Sequence, residues 1–175
     1  MKIAICGKMC SGKTTLANYI MRTFPGYQIY SFGQKVKDLC IDLFDMKHKD
    51  RDLLITFANK MREIDENVWI NNILKETTGK ENCIIDDVRY QNEVDALIKD
   101  GWIFIQLHIP YDLQTKRIKQ VYKGHYEIHL KNRTHLSEKN SFIFPKGQSI
   151  LSHMVDEVGE GKLIHDVNLL FMKNS

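Results

Sequence analysis

Gly7-Lys8-Met9-Cys10-Ser11-Gly12-Lys13-Thr14 sets two glycines, a lysine and a threonine at the spacing G-x-x-x-x-G-K-T. That spacing suits a chain of phosphates. The glycines let backbone N–H groups close around phosphate oxygens, Lys13 can reach the β/γ-phosphates, and the Thr14 hydroxyl can ligate Mg²⁺. Nucleotide contacts are expected from Gly7 through Thr15. Asp86-Asp87 form a second group. A carboxylate that follows an apolar strand, paired with such a loop, holds Mg²⁺ directly or through water. Neighbours on a strand point to opposite faces, so only one should face the metal, and Asp87 is the expected one. The third group is cationic: Lys37, Arg62, Arg89, Arg117 and Arg133. A phosphate acceptor has a second pKa of about 6, so its attacking oxygen is ionised without a general base. It needs cations that overcome the repulsion between two anions and hold them in line. An alcohol acceptor would need a carboxylate on its hydroxyl, and a hydrolase a positioned water.

These groups need elements to hold them. Lys2-Ile3-Ala4-Ile5-Cys6 is an apolar run of strand length before the loop. Leu16, Tyr19, Ile20 and Phe24 follow at helical spacing until Pro25-Gly26 breaks the pattern. Tyr27 to Phe32 reads as a short second strand. Val36, Leu39, Cys40, Leu43 and Phe44 give a helix with one buried face. Leu53, Leu54, Phe57, Ala58 and Met61 give another, and Asp65 is the expected cap of a third through Val68, Trp69, Ile73 and Leu74. Residues 33–78 are therefore a helical insert between two strands. Cys83-Ile84-Ile85 is a wholly apolar strand, Tyr90 to Ile98 a helix, and Trp102 to Ile109 a strand closed by Pro110.

Such alternation implies an α/β fold, with a parallel sheet covered on both faces and ligands at the C-terminal strand ends. Beyond Pro110, Leu113 to Tyr122 is expected as a helix and residues 123–147 as polar and irregular. Ile150, Leu151, Met154, Val155 and Val158 are spaced as a helix, and Leu163 to Phe171 reads as the last strand or a terminal helix, with a strand starting near Leu163 favoured. Trp69 is open to two readings, core packing or a wall for an acceptor base. His125-Tyr126-Glu127-Ile128-His129 lacks the glutamate placement of a zinc protease and lies in the irregular region, so it is not read as a metal site.

The chain has 175 residues, 27% charged and 43% hydrophobic, which fits one globular domain over 1–175. Residues 111–147 carry a surplus of five positive charges, so the net +3 leaves −2 on the remainder. That asymmetry points to a local anion site rather than a nucleic-acid surface. No apolar run reaches membrane-spanning length, and the chain enters a strand at once, without a signal-peptide pattern. Cys6, Cys10, Cys40 and Cys83 form no Cys-x-x-Cys pair, and reduced thiols in a cytoplasmic protein are expected. The sequon Asn132-Arg133-Thr134 is then read as chance.

Several stretches together resemble the deoxynucleoside monophosphate kinases of phages and large DNA viruses. Ser31-Phe32-Gly33-Gln34-Lys35-Val36-Lys37 resembles their F-A-x-x-L-K, and Arg62-Glu63-Ile64-Asp65-Glu66-Asn67-Val68-Trp69 their R-x-x-D-x-x-x-W. Asp87-Val88-Arg89-Tyr90-Gln91-Asn92-Glu93 resembles D-V-R-F-x-N-E, and His135-Leu136-Ser137-Glu138 a late H-x-S-E. Animal-type phosphomevalonate kinases share much of this pattern. The resemblance implies an adenylate-kinase-like P-loop NTPase fold of about five parallel strands, with an acceptor-binding insert at 33–78 and a basic lid at 111–147. It implies ATP and Mg²⁺ as cofactors, and a (deoxy)nucleoside monophosphate or another small phosphate as acceptor. Lys37, Arg62, Trp69, Arg89, Asn92 and Glu93 would then bind the acceptor, and Arg117 and Arg133 would clamp the transferring phosphoryl group. An ATP-dependent nucleic-acid-binding switch remains an alternative, and a homodimer remains open. Residues 139–162, with Phe142-Ile143-Phe144-Pro145, are longer than the family pattern.

Overall fold

The computed structural model describes residues 1–131, 133, 142–157 and 161–173. The sequon threonine, the His135–Glu138 stretch and Val158 lie outside them. Five strands form one parallel sheet: β1 (Lys2–Gly7), β2 (Gln28–Tyr30), β3 (Cys83–Val88), β4 (Ile103–His108) and β5 (Ile150–Met154). Their order across the sheet is β2-β3-β1-β4-β5, the adenylate-kinase-like arrangement of a P-loop NTPase. The loop after β1, in the middle of the sheet, is where connections diverge to either side. That is where such sheets open a ligand crevice.

The pleat sorts the core into two layers. Ile3, Ile5, Ile84 and Ile105 face α1 (Lys13–Thr23) and α8 (Gly161–Lys173). Ala4, Cys6, Ile85 and Phe104 face α2 (Phe32–Phe44), α4 (Val68–Thr77) and α5 (Gln91–Lys99). Both faces are apolar because both are covered. The helical insert comprises α2, α3 (Arg51–Ile64) and α4, and α6 (Tyr111–Val121) and α7 (Tyr126–Lys131) follow β4. No helix among the described residues is long and apolar enough to cross a membrane.

Four local expectations change. Residues 150–154 are a strand, not a helix, paired with β4 from Phe104↔Ile150 to His108↔Met154. Leu151, His153 and Val155 point inward at period two, and the buried His153 hid that alternation behind a polar letter. The 163–171 segment is helical, not a strand: Leu163, Val167 and Phe171 recur every four residues as the buried stripe of α8. Phe171 stacks on Phe24 at 3.7 Å and meets Tyr27 edge-on at 5.3 Å. Asp65 does not cap α4. It ends α3, and its carboxylate accepts from the Asn67 N–H at 2.8 Å. The segment expected to be irregular after Lys123 holds the short helix α7.

Phe142 and Phe144 pack on the α5 side of the core, with Phe144 5.2 Å from Phe104. The Gln91 side-chain amide exchanges two hydrogen bonds with the Ile143 backbone, each 2.9 Å.

Candidate active site

β1 delivers the chain into the loop in a space that only glycine fits. A Cβ on Gly7 would lie 2.7 Å from the Leu107 carbonyl oxygen and 2.7 Å from Ser11 Oγ. Gly12 takes φ 98° at the start of α1, and no side chain caps that helix end. The first-turn N–H groups of α1 are thus left for an anion. Ser11 Oγ is buried without a hydrogen-bond partner inside the same loop. Lys13 is buried, and its ammonium donates to the Gly7 and Lys8 carbonyls at 2.7 and 2.9 Å. These features fit a phosphate chain: a narrow cradle of donors, an orphan hydroxyl and a cation waiting on its own loop.

The Thr14 hydroxyl donates to Asp86 Oδ2 at 2.6 Å. Asp86, not Asp87, is the carboxylate beside the loop, which corrects the expectation from sequence. Ile84 packs on the α1 face and Ile85 on the α2 face. Beyond Ile85 the register of β3 on β1 shifts, Ala4↔Ile85 being followed by Cys6↔Val88. At that irregularity Asp86 meets the start of α1, while Asp87 meets the start of α2. There it accepts from Ser31 Oγ at 2.7 Å, Gly33 N–H at 2.9 Å and Phe32 N–H at 3.0 Å. Burial raises the Asp87 pKa, these hydrogen bonds oppose the rise, and Asp86 adds to it. Among the described residues no cluster of three or more His, Cys, Asp or Glu could form a closed metal cage. A hydroxyl and one carboxylate, completed by phosphate oxygens and water, match the way Mg²⁺ binds.

Thr14 and Met9 border a cavity of about 570 Å³ that runs between the loop and the insert. Five cations line it: Lys37 on α2, Lys49 before α3, Arg51 and Arg62 on α3, and Arg89 after β3. Arg62 lies 4.7 Å from the Tyr90 ring and donates to Asn59 at 3.3 Å. Among the described residues two carboxylates line the cavity, Asp87 and Glu93. Glu93 is 3% exposed. It accepts from the Arg89 and Tyr90 N–H groups at 2.6 and 3.0 Å and closes a capping box on α5. Burial pushes its pKa up to about 7 against those bonds.

Lys37, Arg62, Arg89 and Glu93 thus come together at the cavity. Trp69 does not join them. It is 3% exposed, donates to the Ala58 carbonyl at 3.2 Å and packs near Phe57. The core reading holds, because α4 turns that face onto the sheet. Asn92 also lies off the cavity lining, its side chain on Asn67 and on the Glu93 N–H. Arg117 reaches the loop, donating to the Cys10 carbonyl at 3.3 Å. Arg133 instead lies back on α6, with hydrogen bonds to Thr115 and Tyr111 at 2.8 and 2.9 Å and the Tyr111 ring at 4.1 Å.

Three residues at the site were not foreseen. Gln114 is buried and donates to the Met9 carbonyl at 3.1 Å, tying α6 to the loop. An amide on a mostly polar helix gives no sequence signal for that. Lys49 and Arg51 lie in a charged junction without periodicity; the only hint was Asp50, whose carboxylate caps α3 at Leu53 N–H.

A family model described as an AAA domain matches residues 3–140. The chain belongs to the AAA domain family. No curated protein matches it. Solved structures resemble this AAA domain along nearly its whole length. A sugar kinase from Janibacter sp. HTCC2649 superposes with a TM-score of 0.60 at 15% identity, covering 95% of this chain and 91% of its own. The shikimate kinase of Aquifex aeolicus gives 0.57 at 18% identity, covering 99% and 98%. TT1252 from Thermus thermophilus gives 0.60 at 13%, covering 100% and 98%. At these identities the likeness is one of fold.

Proposed function

We propose that this chain is an ATP- and Mg²⁺-dependent kinase that converts a (deoxy)nucleoside monophosphate to the diphosphate. The observation that carries the reading is a cavity shared by the phosphate loop and a set of cations, in which each lining carboxylate is already engaged with backbone N–H groups. An alcohol kinase needs a carboxylate on the substrate hydroxyl. Here Asp87 and Glu93 are helix caps and Asp86 is on Thr14, so the lining is adapted to an acceptor that arrives ionised.

In this reading the loop N–H groups and Lys13 hold the ATP phosphates, and the Thr14 hydroxyl and Asp86 hold Mg²⁺, which neutralises phosphate charge. Arg62 and Arg89 bind the acceptor phosphate, and Lys37 adds positive charge to the same cavity. One of its oxygens bonds to the γ-phosphorus as the bond to the β–γ bridging oxygen breaks, and ADP leaves with that electron pair. Arg117, next to the loop, offsets charge in flight. An acceptor panel with labelled ATP tests the proposal. Deoxynucleoside and ribonucleoside monophosphates, phosphomevalonate, shikimate and gluconate are offered separately. Transfer to a monophosphate is expected; transfer only to the alcohols would reject the reading, and transfer to phosphomevalonate alone would move it to that acceptor.

A further inference from the structure

The cavity is cationic at two places. α3 lays one face along it, with Arg51, Leu54, Ile55, Ala58, Asn59 and Arg62 at helical spacing. Eleven residues at 1.5 Å each separate the two arginines by about 16 Å along the axis. Each side chain is held at its own end. Arg62 is fixed by Tyr90 and Asn59. Arg51 meets His129 Nδ1 of α7 at 3.2 Å, and His129 stacks on Tyr122, another lining residue. Between them α3 presents the apolar side chains of Leu54, Ile55 and Ala58.

Lys49 stands beside Arg51, with Lys37 near. Burial lowers the Lys49 pKa, and the charges of Arg51 and Lys37 lower it further. Among the described residues no carboxylate forms an ion pair with Lys37, Lys49 or Arg51. The neighbouring acid, Asp50, faces the α3 backbone. His129 in its neutral form accepts from Arg51 and supplies no negative charge. Like charges thus share one end of a cavity with no carboxylate among the described residues paired to them. Arg62 and Arg89 at the other end already provide for a reacting phosphate.

We infer that Lys49 and Arg51 hold a second anionic group of the acceptor. A phosphate ester that also carries a phosphate or carboxylate, separated from the reacting phosphate by a body that lies on the apolar stretch of α3, is then bound more tightly than an acceptor with the reacting phosphate alone. The inference rests on the proposed kinase reading for which phosphate reacts.

Matched pairs of acceptors test it. 2′-Deoxyguanosine 3′,5′-bisphosphate is compared with dGMP, and phosphomevalonate with an alkyl monophosphate of equal length. The first pair asks for a second phosphate, the second for a carboxylate. In at least one pair the doubly anionic member should have a KM about tenfold lower, the worth of one charge-assisted hydrogen bond. Lys49→Gln/Arg51→Gln should erase that advantage, raising the KM of the doubly anionic member about tenfold more than that of the singly anionic one. Lys49→Gln alone, at an exposed position, should reduce the advantage without threatening folding. Equal KM values within both pairs would overturn the inference, as would a variant that raises both members alike. If no acceptor is phosphorylated, the kinase reading fails, and calorimetric titration of the same pairs still decides the second site. Tighter binding of a doubly anionic ligand that depends on Lys49 and Arg51 supports it. Equal or absent binding overturns it.

Discussion

Asp86 and Asp87 are adjacent, chemically identical and predicted to fail in opposite ways. Asp87→Asn removes the charge from a carboxylate that satisfies three donors at the start of α2. An asparagine has one acceptor oxygen. If that oxygen serves Gly33, its NH₂ faces the Phe32 N–H, donor against donor. Losing one hydrogen bond to a charged acceptor and stranding one N–H costs about 2–3 kcal/mol. For a chain of this size each kcal/mol moves the melting temperature by about 2–4 °C, so a fall of roughly 5–10 °C is expected. Asp86→Asn touches one exposed hydrogen bond, with Thr14, and should shift melting by less than about 2 °C on the same scale. Its effect should fall on turnover. Loss of one preorganised charge contact to the transferring group costs about 3–4 kcal/mol, or 10²–10³ in rate. Thermal melting without ligand and phosphoryl transfer across a Mg²⁺ titration separate the two. An Asp87→Asn protein that melts like wild type but has lost its Mg²⁺ response would refute the assignment of Asp86 to the loop and Asp87 to the start of α2.

Three other perturbations follow from the same geometry. Arg89→Ala should lose most turnover while ATP affinity stays near normal; wild-type turnover would remove Arg89 from the acceptor site. Gly7→Ala forces a Cβ against the Leu107 carbonyl and should both lower the melting temperature and weaken ATP binding, read by melting with and without nucleotide. Glu93 has a folded pKa of about 7 against an ordinary 4.5. The folded state therefore holds this proton more tightly, and stability should decline as pH rises from about 4.5 to 7, by at most about 3 kcal/mol from this group. Glu93→Gln should flatten that decline in denaturant melts; an unchanged slope would contradict the assignment.

The phosphate loop was legible because its chemistry is written in consecutive residues, as were the strands of the sheet centre, apolar on both faces. The choice between Asp86 and Asp87 was not legible: the shift in the pairing of β3 with β1 beyond Ile85 leaves no mark in the local pattern. β5 was hidden because the edge strand buries a histidine, and α8 stayed open between strand and helix because apolar spacing alone did not place it outside the sheet. Trp69 was ambiguous because an indole beside an insert can line a pocket or fill a core, and only the direction of α4 decides. Lys49, Arg51 and Gln114 act through long-range placement, which no local pattern records.

The Lys13 ammonium sits on the carbonyls of Gly7 and Lys8. Nucleotide binding therefore exchanges one set of partners for another instead of recruiting an idle charge. The affinity lost in Lys13→Met would then measure a difference between two occupied states. It would understate the strength of the lysine–phosphate contact. The same substitution would remove a donor from two loop carbonyls, of which that of Lys8 keeps the Ser11 N–H, before any nucleotide arrives, so its cost should already register in the melting of the nucleotide-free protein.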